Sequence, residues 1–439
     1  MDPMHQFCSN PDCPLMSERG QGNIGIHSKK DNRYICRKCG VTFSGTKDTP
    51  YYRLRYSTQM VTWALVLLSC GCPPMAIVRA FGMDERTVLS WRKRAGDHCR
   101  TVHEAMVEAG EIELEHVQAD ELYVRTVKAG ETQDESVCSE GANGSGSDEM
   151  DSNEIGSEGV ESKKGRVWMA MAICVPSRLW LGGVVSERRD QTLIDQLIGH
   201  VKRSSASLCV LICVDGLASY VGGFKKAFRE AVKTGKAGRP RLVQASGFQL
   251  AQVVKQQKGR RMVSVSQRVV VGKIESVMAV IRATRGEHAR RKERRPGDQT
   301  VSCEGVPTEE EGSKINTSYI ERLNATFRSR MTMLTRRGRS IAHKIESVSS
   351  GMFLVGCMYN FCTPHESLRE PASHGERSKT GVEIRWNERT PAMAAGLTDH
   401  IWTPTELFSY RVPPPRPAPP KRRGRPPRAI NNLPIASQA

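Results

Sequence analysis

The chain has 439 residues, 38% of them hydrophobic, and carries 65 Lys and Arg against 47 Asp and Glu, a net charge of +18. That length and apolar content suit two or three packed domains and exclude a wholly disordered chain, and the excess of cations implies an anionic partner, nucleic acid first among them. No run of about 18 apolar residues offers a bilayer span, and MDPMHQFCSN lacks the charged-then-apolar order of a secretory signal, so a soluble, cytoplasmic protein with no membrane partner is expected.

Residues 1–50 contain the only regularly spaced set among the 14 cysteines: Cys8 and Cys13, then Cys36 and Cys39. The second pair sits in RYICRKCGVTF, where Gly40 permits a tight knuckle turn with backbone N–H groups facing sulfur. Four thiolates on one structural Zn2+ explain how so small and polar a segment folds, and they leave no open position for catalysis. The remaining cysteines, such as Cys174, Cys209, Cys213 and Cys357, lie in apolar runs and read as buried thiols in a reducing compartment.

Residues 57–108 predict three helices. The first runs from Met60 to Leu68 and ends at Gly71, the second starts after Pro73 and Pro74, and the third is capped by Asp84. The third places Val88, Leu89 and Trp91 inward and leaves Arg86, Thr87, Ser90, Arg92, Lys93 and Arg94 available, the pattern of a helix-turn-helix recognition helix. A plain three-helix bundle with a solvated basic face is the alternative; the preceding ribbon and the charge favour DNA binding.

From about 113 the pattern becomes that of strands. HVQADELYVRT alternates; GRVWMAMAICV and SRLWLGGVVSE read as two further strands joined at Pro176-Ser177. A helix is expected from Asp190 to Lys202, then a buried strand over Leu208–Val214 that ends at Asp215. Asp120 and Asp215 each close an apolar run, so each is expected near the carboxyl end of a strand. Glu321 opens a stretch with helical spacing, Ile320, Leu323, Thr326 and Phe327. Three carboxylates in one cleft repel each other and are tolerated when cations neutralise them, magnesium pairs being the usual answer. Glu121 should point to the opposite strand face and be structural. Arg322, Asn324 and Arg328 follow the third acid at helical spacing as candidate DNA contacts, with salt bridges along a helix face as the alternative. His365 fits a packing or capping role.

Two inserts interrupt this core. Residues 131–162, within an insert at 129–165, hold ten acidic residues and no Lys or Arg, so they cannot build a core. The second insert, 282–313, sets Arg290, Arg291, Lys292, Arg294 and Arg295 against Glu309, Glu310 and Glu311. A C-terminal segment spans 371–410. The tail, 411–439, has nine prolines, seven basic residues and no acid. Its KRRGRPPR contains the centre of an AT-hook, in which Arg423 and Arg425 would enter a narrow A·T minor groove; a generic basic tail is the competing reading. The similar AGRPRL at Ala237–Leu242 is expected to be a loop.

In order, RYICRKCGVTFS, TPYYRLR, VQADELYV, VDGLASY, INTSYIERLNATFR, LTRRGRS, YNFCTPHESLR and RTPAMAAGLTDHIWT resemble, nearly end to end, insertion-sequence transposases of the Asp-Asp-Glu type with an N-terminal zinc ribbon and helix-turn-helix. The family's three acids match Asp120, Asp215 and Glu321. The resemblance implies an α/β fold whose catalytic domain, 113–370, is RNase H-like, a mixed sheet with flanking helices. It further implies two Mg2+ or Mn2+ ions per site, double-stranded DNA (transposon ends and target) as partner, and a homodimer or larger synaptic assembly. One ion would lie between Asp120 and Asp215 and the other between Asp120 and Glu321. The inserts, the tail, and Gly338 in place of the usual threonine depart from the family pattern. A non-catalytic DNA-binding regulator and an RNase H-like nuclease are the rival readings.

Overall fold

The computed structural model describes residues 2–109, 111–126, 166–233, 238–258, 261–284, 314–335, 342, 344–372 and 385–417. The acidic insert, the basic cluster from Arg290 to Arg295, Gly338, and Arg423 and Arg425 of the tail lie outside these residues. The chain divides into two compact units, Met1–Lys47 with the segment from Pro413, and Asp48–Val412.

The smaller unit is a three-stranded antiparallel meander, β1 (Ile24–Ser28), β2 (Arg33–Cys36) and β3 (Thr42–Ser44). Gly40 adopts a φ of +74°, and its N–H donates to the Cys36 carbonyl at 2.7 Å, closing the turn that its lack of a Cβ permits. Tyr34 stacks on Phe43, and with Met16, Ile24 and the cysteines these rings form the unit's small core. Within the same unit the Ser17 hydroxyl donates to the Pro414 carbonyl at 2.6 Å.

The larger unit opens with α1 (Thr58–Ser69), α2 (Pro74–Phe81) and α3 (Glu85–Met106). Ser57 caps α1, and Asp84 caps α3 by accepting from the Arg86 N–H at 2.8 Å. Between α2 and α3, Gly82 takes the left-handed conformation that ends a helix. α3 is longer than a recognition helix needs, 22 residues, because its second half carries a further apolar stripe of Ala95, Cys99 and Val102.

The centre is a six-stranded mixed sheet in the order β11-β10-β7-β4-β5-β6. β4 (His116–Arg125), β5 (Arg166–Cys174) and β6 (Trp180–Ser186) form an antiparallel meander. β7 (Leu211–Asp215) and β10 (Gln249–Lys258) add parallel to β4, and β11 (Arg261–Val271) returns antiparallel to β10. Helices flank it: α4 (Gln191–Ser204) and α5 (Ala218–Ala227), α6 (Ile274–Ala283), α7 (Ser318–Arg330) and α8 (Ile345–Cys357). Coverage on both faces explains why β5 and β7 read as unbroken apolar runs. α8 packs on α3 so closely that a Cβ on Gly96 would lie 2.3 Å from the Ser350 carbonyl oxygen, and one apolar core therefore joins the three-helix segment to the sheet. Residues 385–412 close over the same core, with Trp402 stacked on Phe361 and Leu407 and Phe408 buried.

Several expectations are corrected. Asp120 lies in the middle of β4 rather than near its end, because β5 pairs with β4 through Arg125. β7 begins at Leu211, three residues later than its apolar run. The segment 282–313 is not loop from its start, since α6 extends to Ala283. Arg241 and Leu242 of AGRPRL belong to β9 (Arg241–Gln244), which pairs with β8 (Arg229–Val232) in a separate two-stranded ribbon. Among the described residues no helix is long and apolar enough to cross a membrane.

Candidate functional site

The four thiols of the smaller unit converge. Ligand atoms of Cys8, Cys13, Cys36 and Cys39 all lie within 4.8 Å of one another, with Cys8–Cys39 at 3.6 Å and Cys13–Cys36 at 3.8 Å. A zinc tetrahedron with Zn–S bonds of about 2.3 Å has sulfur–sulfur edges of roughly 3.8 Å. Cys8 comes from the segment before the meander, Cys36 ends β2, and the Gly40 turn brings Cys39 back. The Asn23 side-chain amide donates to the Cys36 sulfur at 3.4 Å. Burial pushes the Cys8 thiol up to about 12; at Cys39 burial is outweighed by the Val41 N–H, the Asn10 side chain and the neighbouring thiols, which draw it down to about 7. This buried four-cysteine cluster can hold a structural metal such as zinc.

The acids converge for a topological reason. β4 and β7 run parallel with Ala119 opposite Val214, so the next residues, Asp120 and Asp215, sit side by side where β7 ends. Oxygen atoms of Asp120, Glu121 and Asp215 all lie within 4.8 Å of one another. Burial, then the charges of Glu121 and Asp215, push the Asp120 carboxyl up to about 7; the Glu121 N–H works against the shift and Glu321 adds to it. A divalent cation would relieve that repulsion, and all the donors are the oxygens that Mg2+ and Mn2+ prefer.

Glu121 is read from the sequence as structural, and its buried ion pair fits that role, although its carboxylate also lies in the acidic trio. There it is only 1% exposed, and Arg189 (Nε at 2.7 Å, and Nη2) and the Tyr220 hydroxyl (2.8 Å) donate to it. Arg189 lies 3.9 Å from Asp215 as well and stacks over Trp168. Glu321, on the first turn of α7, is not in the trio; it accepts from Lys255 at 2.6 Å and from the Thr317 hydroxyl at 3.1 Å. Its charge nevertheless reaches Asp120.

Two fully buried glutamines fix these pieces. Gln118 on β4 accepts from the N–H groups of Tyr319 (3.0 Å) and Ile320 (3.1 Å) and donates to the Asn316 carbonyl at 2.8 Å, tying the start of α7 to the strand that bears Asp120. Gln252 on β10 donates to the carbonyls of Asp215 (2.9 Å) and Leu217 (3.3 Å), and Arg268 donates twice to its side-chain oxygen. A buried amide is costly unless satisfied, but β10 holds four glutamines, so no sequence signal singled out Gln252.

The candidate DNA contacts separate into groups. Arg86, Ser90 and Lys93 are exposed on α3, Lys93 pairing with Asp97 at 2.7 Å, and Thr87 is half-buried. Arg86, Thr87 and Ser90 line a groove with Arg53, Arg55 and Tyr56. Arg92 and Arg94 are half-buried; burial lowers the Arg92 pKa, and Arg94 donates to the Tyr52 carbonyl, so neither is the freely available side chain expected. On α7, Arg322 is exposed and Arg328 half-buried. Asn324 is buried and donates to Asp120 at 2.7 Å, which corrects its reading as a DNA contact to that of a support for the acid. His365 caps a short turn, its Nδ1 accepting from the Ser367 N–H at 3.3 Å; burial and then the charges of Arg178 and Arg322 hold it down to about 4.

Compared with known proteins, the chain matches no family model and no curated protein.

Proposed function

We propose that the chain is a DNA transposase of the Asp-Asp-Glu type, with an RNase H-like catalytic core, that cuts transposon ends and joins them to target DNA. The observation that carries this reading is the side-by-side placement of Asp120 and Asp215 on adjacent parallel strands, with the helix bearing Glu321 tied to the same strand through Gln118 and Asn324. The strand order supports the reading: an antiparallel meander whose first strand is central, extended by two strands parallel to that one, suits an RNase H-like core. The groove of Arg53, Arg55, Arg86 and Ser90 suits a phosphate backbone.

In this reading Asp120, Asp215 and Glu321 would hold two Mg2+ or Mn2+ ions, with Glu121, paired with Arg189 and Tyr220, beside them. Such ions supply Lewis-acid activation of water and stabilisation of the departing 3′ oxygen. Gln118 and Gln252 fix the backbone that carries Glu321 and Asp215, and Arg189 holds Glu121. Hydrolysis breaks one P–O bond at the transposon end. The freed 3′-hydroxyl then attacks a target phosphodiester in line, forming one P–O bond as another breaks, with no covalent enzyme intermediate. Joining two ends calls for a dimer or larger assembly on double-stranded DNA.

The test is cleavage and joining of labelled terminal DNA in Mg2+ or Mn2+, with Asp215→Ala as control. Metal-dependent joining by wild type, lost in the variant, is expected. Binding by both proteins without any cut product, with correct ends, would sink the catalytic reading in favour of a regulator.

A further inference from the structure

The β10–β11 hairpin outruns the sheet that supports it. β10 pairs with β7 only as far as Val253, which lies opposite Asp215; beyond that point its sole partner among the described residues is β11. The ladder continues for five more pairs, Val254–Ser266 through Lys258–Arg261. At about 3.3 Å per residue the free arm is roughly 16 Å long, and it starts beside the acidic centre. Isolated two-stranded arms are marginal in water and gain stability from a surface to lie against. Val263 is 63% exposed among the described residues. The described strands of the arm carry Lys255, Lys258 and Arg261 and no acid, which selects a polyanion as that surface.

At the base of the arm the Lys255 ammonium lies 2.6 Å from a Glu321 oxygen, with the two side chains 43% and 49% exposed. A pair that open to water contributes about 0–1 kcal/mol, so stability does not require it. The pairing instead sets a cation against the one acid that lies outside the trio.

We propose that this hairpin is a nucleic-acid arm, and that Lys255 exchanges the Glu321 carboxylate for a phosphate oxygen of the strand entering the acidic centre. The inference rests on the phosphodiester reading above. Once Glu321 is committed to a cation, the ammonium is released next to the substrate backbone.

The experiment uses the full chain with Lys255→Met and Lys255→Arg, a labelled duplex, and three readouts. DNA affinity is measured against KCl in Ca2+, Mn2+ binding is titrated without DNA, and melting temperature is recorded. Lys255→Met is expected to keep the melting temperature, to lose about one unit of the logarithmic salt slope, and to bind Mn2+ at least about threefold tighter because the competing ammonium is gone. Lys255→Arg should restore the slope. An unchanged slope in Lys255→Met, or a melting temperature several degrees lower, overturns the proposal. Wild-type protein that never cuts DNA while the slope change persists would sink the transposase reading and leave the arm standing.

Discussion

The cysteine cluster and the acidic centre solve the problem of converging repulsive ligands in opposite ways. The cysteines sit in a unit whose apolar core is a handful of residues, and three of the four thiols are themselves part of that core. The acids sit where β7 ends beside the middle of β4, in a six-stranded sheet with a large core, and buried amides and Arg189 fix the backbone and side chains around them. In the first case a bound metal would complete the fold; in the second the fold alone brings the carboxylates together.

The largest effect that would break this contrast comes from removing a thiol. Cys36→Ser, or chelation of the wild type, is expected to release one zinc per chain and to open Met1–Lys47 to proteolysis, since structural zinc supplies about 10–16 kcal/mol in such units. The main melting transition, belonging to Asp48–Val412, should stay put. Equal loss of both units would erase the distinction.

The two sites were legible to different degrees. The cysteine spacing specified its cluster completely, because ligand identity and turn chemistry are local. Asp120 and Asp215 were also legible, since each follows an apolar run. The position of Asp120 within β4 was not, because where a strand ends depends on its neighbour β5, whose sequence is separated from it by the insert. That the Glu121 carboxylate also joins the acidic trio was not legible, because its partners, the Tyr220 hydroxyl of α5 and Arg189, lie far along the chain. Asn324 was read from helical spacing as a surface residue, although its spacing from Ile320 and Phe327 equally suits the buried face it occupies.

Acid should separate the units next. Burial, with Glu108 opposing and His200 and Arg203 assisting, holds His103 down to about 4; burial and then the Arg178 charge hold His116, which also faces the Thr284 hydroxyl, down to about 3. Both folded values lie below the unfolded value near 6.5, so the unfolded chain takes up protons first. Their stabilisation is full above pH 6.5 and is lost as pH falls toward 4 and 3. At about 1.4 kcal/mol per unit, the pair removes on the order of 4 kcal/mol between pH 7 and 5. Glu108 reinforces this lower down: although burial raises it, His200, Arg203 and His103 together bring it to about 2, so its contribution disappears as pH falls from 4.5 through 2. Thermal unfolding of Asp48–Val412 followed from pH 7 to 4 checks the sign, and a flat profile would mean that these imidazoles are hydrated.

The smallest expected change in stability is the most informative about the acidic centre. Gln118→Ala strips the Tyr319 and Ile320 N–H groups of their acceptor and the Asn316 carbonyl of its donor, at a cost of about 1–3 kcal/mol. A core this large survives that loss at 20 °C, so the protein should stay folded. The start of α7 is nevertheless freed from β4, and with it Glu321 and the Asn324 bond to Asp120. DNA cleavage is therefore expected to fall at least about tenfold while the DNA salt slope stays unchanged. Gln118→Glu keeps an acceptor for the two N–H groups and should recover part of the activity despite its buried charge. If both variants lose stability but cut DNA at the wild-type rate, then the amide serves packing alone, and the acidic centre is no more pre-built than the cysteine cluster.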